Sequence, residues 1–204
     1  MHSEVRIFAV NFNTTKMNDD LRKEIAGFFL TDSSNYLARY DALIEAFTDI
    51  STRSKILVDL LFSFECSLKS LIFLRSGVDE KKTYKKIRTH DLNKLLSKID
   101  TAQIQHIADF IINEKLDDIS IGVRYTLEAN IKFREHNVLG QKYYNTIASY
   151  PWINEVYQKA KELNEFVRSE SISMFGLITI QTLSDIDIDK LKENGNRINN
   201  INNP

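Results

Sequence analysis

Residues 51–77 read Ser51-Thr52-Arg53-Ser54-Lys55-Ile56-Leu57-Val58-Asp59-Leu60-Leu61-Phe62-Ser63-Phe64-Glu65-Cys66-Ser67-Leu68-Lys69-Ser70-Leu71-Ile72-Phe73-Leu74-Arg75-Ser76-Gly77. Leu57, Leu60, Leu61, Phe64, Leu68, Leu71 and Ile72 recur at gaps of three and four, which places them on one face of a helix. Val58, Phe62 and Phe73 add a second apolar side. A helix wetted over so little of its surface belongs at the centre of a bundle. Ser51-Thr52 supplies its N-terminal cap, and Gly77 is expected to end it in left-handed geometry. Asp59, Glu65 and Lys69 interrupt the apolar run, so it reads as a core helix and not a membrane span, which needs about 20 mostly apolar residues.

Helical patterning extends on both sides. Asn18-Asp19-Asp20 caps a short helix carrying Leu21, Ile25, Phe28 and Phe29. Asp32-Ser33-Ser34 is expected to cap a separate one, with Tyr36, Leu37, Tyr40, Leu43, Ile44 and Phe47 as its stripe. Downstream, His90-Asp91-Leu92-Asn93-Lys94-Leu95-Leu96 opens a short helix, and Thr101 restarts one bearing Ile104, Ile107, Ala108, Ile111 and Ile112. Asp117-Asp118 begins a turn that leads to Val123-Arg124-Tyr125. Residues 128–140 read as a polar loop. A last long helix follows Ser149-Tyr150-Pro151, with Trp152, Val156, Ala160, Leu163, Phe166 and Val167 inward. Residues 4–12 and 172–182 are β-prone, and a small two-stranded element from the chain ends is expected. The segment from Ser184 is polar, expected to form a short acidic helix and then a frayed tail. The chain thus reads as an all-α, up-down bundle of four to five main helices. It divides into an extended segment 1–17, a bundle 18–172 and a C-terminal strand and tail 173–204.

Only two prolines and six glycines punctuate the 204 residues, which fits long helices. The 43% hydrophobic content supports a real core, and a net charge of −1 leaves no global attraction to nucleic acid or anionic lipid. A single cysteine, Cys66, excludes an internal disulfide and a zinc set; within an apolar helix it reads as a buried thiol. The opening Met1-His2-Ser3-Glu4-Val5-Arg6 lacks a signal-peptide pattern, so a cytoplasmic protein without membrane association is expected. No Gly-rich phosphate loop, H-E-x-x-H pair or nucleophile elbow is present, and neither metal nor cofactor is expected.

Residues 75–90 differ from the rest. Six Lys/Arg (Arg75, Lys81, Lys82, Lys85, Lys86, Arg88) against Asp79 and Glu80 leave a local charge of +4. Such a patch can neutralise phosphates, with Tyr84 as a stacking face, or simply be a solvated basic loop. His90, beside cations and just before Asp91, can meet a phosphate or serve as an acid; alternatively it bonds locally while Thr89 or Asp91 caps the helix. Arg124-Tyr125 can reach the same ligand, or pin two helices through Asp117 or Asp118. Those two adjacent aspartates point apart on a helix, which makes a poor metal or catalytic pair.

The order Phe64-Glu65-Cys66-Ser67-Leu68-Lys69-Ser70-Leu71, basic loop, His90-Asp91-Leu92-Asn93-Lys94-Leu95-Leu96, Val123-Arg124-Tyr125 resembles the HEPN family over about residues 31–170. That resemblance implies a dimer-forming bundle that binds nucleotides or RNA, often beside a nucleotidyltransferase or in a defence or toxin–antitoxin setting. The RNA-cleaving branch of that family uses an arginine followed after four to six residues by a histidine. Here the corresponding positions before His90 are Thr83, Tyr84 and Lys85, and no arginine stands at the same offsets from His90, His106 or His136. Lys85 has the right offset but lacks the forked guanidinium. The expected function is a non-catalytic binding module. Its ligand residues are Lys81, Lys82, Lys85, Lys86, Arg88, His90, Arg124 and Tyr125, and a second copy or a partner protein completes the site. The competing expectations are a metal-independent ribonuclease toxin using His90 with Arg88 or Lys85, and a pure protein-interaction bundle acting as antitoxin or scaffold.

Overall fold

In a computed structural model, residues 17–45, 50–119, 146–147, 149–176 and 187–203 are described. Three long helices carry the bundle: α1 (Asp19–Leu43), α2 (Ile50–Leu74) and α6 (Tyr150–Phe175). Between α2 and α6 lie α3 (Glu80–Ile87), α4 (Leu92–Leu96) and α5 (Gln105–Asn113), and α7 (Ile188–Asn199) follows. Among the described residues there is no strand, and the all-α expectation holds.

Helix α2 is central, as its two apolar sides require. Leu57, Leu60, Phe64, Leu68, Leu71, Phe73 and Leu74 are fully buried, and Val58 nearly so. Helix α1 runs antiparallel to it: Arg39 pairs with Asp59, Ser33 bonds Ser63, and the Ser70 hydroxyl donates to the Ala26 carbonyl. Helix α6 in turn runs antiparallel to α1, with Tyr157 stacked on Tyr40 at 4.1 Å and Asn164 bonded to Ser33. Cys66 is buried, and burial pushes its thiol up to about 12, which keeps it protonated and unreactive.

Ser51-Thr52 does not cap α2, which already begins at Ile50 and takes both residues into its first turn, and four further expectations are corrected. Asp32-Ser33-Ser34 caps nothing; α1 is one 25-residue helix through it. Ser33 has its hydroxyl turned inward onto Ser63, Ser67 and Asn164, and Ser34 donates back to the Leu30 carbonyl one turn earlier, a bond that an uninterrupted helix accommodates. Small residues at Ser33, Ser63 and Ser67 bring three helices together around these bonds.

The second correction concerns the C-terminal β-prone segment. Ile172-Ser173-Met174-Phe175 continue α6, which therefore runs through the expected boundary at 172/173. Extending a formed helix by one turn costs far less than nucleating a new element, and this outweighs β propensity. Gly176 closes the helix at φ 71°, and the Lys23 ammonium donates to the Phe175 and Gly176 carbonyls. Residues 4–12 and 177–182, the remainder of the expected β element, lie outside the described residues, as do Phe47 and residues 128–140.

Third, Gly77 follows α2 without left-handed backbone; Gly176 is the glycine with positive φ among the described residues. Fourth, the basic segment is not a loop throughout. Asp79 caps α3 by accepting from the Lys82 N–H at 2.8 Å. Burial works against the Asp79 carboxylate, but the Lys82 N–H and ammonium outweigh it and hold it below the usual range.

The C-terminal segment docks on the bundle by polar anchors. Arg197 grips Glu80, Asn194 donates to Glu24, and Lys190 pairs with Asp20. Ile198 and Ile201 pack against the core beneath them.

Candidate functional site

Helix α3 is amphipathic. Glu80, Thr83 and Ile87 are buried on one side and Tyr84 half-buried beside them. Lys82, Lys85 and Lys86 stand exposed on the opposite side, and Arg88 is exposed just past the helix. The lysines thus share one face, as a phosphate-neutralising surface needs. Lys82 is partly neutralised by Asp79 at 3.2 Å. Lys81 is drawn sideways, its ammonium donating to the Asn203 carbonyl, and the Tyr84 hydroxyl accepts from Asn202 at 3.4 Å. The C-terminal segment therefore lies across the N-terminal half of α3, where sequence reasoning placed a stacking face.

His90 is not part of that face. Its Nδ1 lies 3.0 and 3.1 Å from the two oxygens of Glu65, a carboxylate on the central helix that is also held by Lys69 at 2.6 Å. Glu65 is buried, whereas the His90 side chain is 68% exposed. A buried carboxylate on Nδ1 fixes the imidazole's orientation and leaves the ring edge toward solvent.

Beside His90 lies an open cleft of about 500 Å³ with Leu61, Phe62 and Leu116 in its walls. Among the described residues, the lining beside His90 carries four carboxylates, Glu65, Asp91, Asp117 and Asp118. Two of these carboxylates cap α4. Asp91 accepts from the Lys94 N–H, while Asp117, from the turn after α5, accepts from Leu92 and Asn93 at 2.6 and 2.8 Å. The first three N–H groups of α4 are thereby all satisfied. The Lys94 N–H, aided by its ammonium, lowers Asp91 to about 2. Burial raises Asp117 against the pull of its two backbone donors, and the nearby Asp91 pushes it further up.

The expected ligand residues therefore separate. Lys82, Lys85, Lys86 and Arg88 form one cationic edge, Lys81 is engaged by the C-terminal segment, and His90 faces the acidic cleft. Arg124 and Tyr125 lie outside the described residues. Of the readings left open for His90, the local one is realised in that Asp91 caps α4 while His90 bonds Glu65. Sequence reasoning missed Glu65 as the partner of His90, although a lone glutamate in an otherwise apolar helix was a usable signal. It also missed Asp117 as a cap, for which no local signal exists. Among the described residues no group of three His, Cys, Asp or Glu is placed to hold a metal, and no helix is long and apolar enough to cross a membrane. Comparison with protein-family models, with curated proteins and with solved structures finds no match for this chain.

Proposed function

We propose that this chain is a nucleotide- or RNA-binding, HEPN-like helical module that is not itself catalytic. In this reading it acts with a second copy, or with a partner such as a nucleotidyltransferase, in a defence or toxin–antitoxin type system. The family likeness and the biological setting rest on the sequence resemblance. The observation that carries binding is the single exposed face of α3, with Lys82, Lys85 and Lys86 continued by Arg88. In a chain of net charge −1, such a local cationic edge is where a phosphate backbone gains most. The test is fluorescence anisotropy with a short single-stranded RNA at about 50 and 200 mM salt. Binding should weaken with salt, and the triple charge reversal of Lys82, Lys85 and Arg88 to Glu should abolish it. Unchanged affinity in that variant overturns the reading.

One observation favours a second reading, a metal-independent ribonuclease toxin. Glu65 orients His90 as a carboxylate orients a general acid–base imidazole, and Arg88 or Lys85 would offset developing phosphorane charge. The four carboxylates of the adjacent cleft repel a phosphodiester, so the binding reading takes precedence. Growth arrest on expression that disappears with His90→Ala, together with RNA cleavage by the purified chain, would reverse that order.

A further inference from the structure

A second groove, of about 580 Å³, opens where the C-terminal end of α2 meets the ends of α3 and α4. Its charged lining is Arg75, Lys86, Lys98 and Asp100, with Ile72 and Ile99 as apolar walls. We propose that this groove binds a mononucleotide-sized organic monophosphate, its phosphoryl group between the ammonium groups of Lys86 and Lys98 and its body against the two isoleucines. The inference deepens the proposed function, because Lys86 belongs to both the α3 face and this groove.

The volume lies within the range of small-molecule sites. Its polar groups differ in what they have left to offer. Arg75 is a fixed wall: its guanidinium donates twice to Glu170, at 2.6 and 2.7 Å, and also to the Asp100 carbonyl and to Gln103. Glu170 thus neutralises Arg75 and leaves it little donor capacity. Asp100, the one carboxylate among the described lining residues, accepts from the Ala102 N–H at 3.0 Å. The Ser76 hydroxyl is spent as well. Thr83 gives its own hydrogen to the Asp79 carbonyl, so Ser76 must be the donor in the 2.6 Å contact with Thr83.

Among the described residues, two cations of the lining still have donors to offer. The Lys98 ammonium uses one of its three hydrogens on the Lys86 carbonyl, which both anchors it and caps the C-terminal end of α3. The Lys86 ammonium makes no hydrogen bond or ion pair among the described residues. Two ammonium groups at one groove suit one dianionic phosphoryl group. The apolar walls suit the less polar body attached to it.

Calorimetry on the full chain with AMP, CMP, adenosine and inorganic phosphate tests the site. AMP and CMP should bind, and adenosine should bind at least about tenfold more weakly, as expected for the loss of a charge-assisted contact. Lys98→Glu should weaken AMP by about tenfold or more, while Lys98→Arg stays close to the parent. Lys98 is off the α3 face, so short-RNA affinity should change little in Lys98→Glu. The Lys82→Glu/Arg88→Glu variant should show the converse, losing RNA and keeping AMP. Should circular dichroism show Lys98→Glu unfolded, Lys86→Glu decides instead, since that side chain is exposed. Absence of AMP and CMP binding, equal binding of adenosine, or AMP affinity indifferent to the deciding variant overturns the site. AMP binding that depends on Lys98 in a protein with no RNA affinity leaves the groove standing and removes the α3 reading.

Discussion

The Arg197 guanidinium grips both carboxylate oxygens of Glu80, at 2.9 and 2.5 Å, across 117 residues of sequence. Both side chains are largely buried, 21% and 9% exposed, and the pairing raises Arg197 above its usual value. This bidentate contact clamps α7 onto the first turn of α3. Arg197→Ala leaves the Glu80 carboxylate buried without its partner and should cost about 2–4 kcal/mol in urea unfolding. Glu80→Gln/Arg197→Gln should recover part of that loss. A single variant within about 0.5 kcal/mol of the parent would show that the clamp contributes nothing to stability.

Asp117 bridges two N–H groups of α4 from a turn that follows α5. Asp117→Ala should destabilise the fold by about 1–2 kcal/mol, the usual scale for losing a cap. The loss should be local: hydrogen exchange at Leu92 and Asn93 should quicken before that of the α2 amides. Uniform acceleration along α2 would argue against a cap.

The acid limb of stability should carry the signature of Asp91. Its folded value of about 2 lies below the roughly 3.9 of an unfolded aspartate. Its contribution is therefore complete above about pH 4 and lost as pH falls through about 2. Asp117 is shifted upward, so its contribution has the opposite sign and declines as pH rises out of the ordinary aspartate range. Asp91→Asn keeps a capping oxygen and should change little at neutral pH. Urea midpoints between about pH 4 and 2 should fall less steeply in that variant. An equally steep fall would assign the acid limb to other carboxylates.

Ser33 is the hub of the seam joining α1, α2 and α6. Ser33→Ala removes the hydroxyl shared by Ser63, Ser67 and Asn164 and should cost about 1–3 kcal/mol, because a buried amide loses a partner. Ser34→Ala, at the half-buried rim of the same seam with only the longer 3.3 and 3.5 Å contacts to Asn164, should cost well under half as much. Thermal denaturation of the two variants side by side distinguishes a buried network from general helix propensity.

Much of the bundle was legible in local pattern. The double apolar stripe of α2, the Ser149-Tyr150-Pro151 start of α6 and the Asp91 start of α4 all form where residue periodicity and capping chemistry place them. Misreadings occurred where one residue type serves two purposes. Ser33 suits an N-cap or a close helix contact, and the choice depended on Ser63 and Ser67 facing it. Ile172 to Phe175 suit a strand or a helix end, and the preceding turns of α6 decided it. The lysines of residues 81–86 were legible as a cationic patch. That Lys81 and Tyr84 lie beneath the C-terminal segment, while Lys86 meets Lys98 at a groove, was not.

Periodicity, capping residues and the near absence of glycine and proline by themselves determine that this chain forms helices, and that residues 56–74 form the innermost one. These are short-range effects, set by neighbours within a turn or two. Tertiary structure alone decided that Glu65 holds His90, that Asp117 caps a helix 24 residues before it, and that Lys86 and Lys98 meet at one groove. Each depends on groups brought together across the bundle. Electrostatic and hydrogen-bond energies vary with separation over a few ångströms, a distance that sequence spacing does not encode.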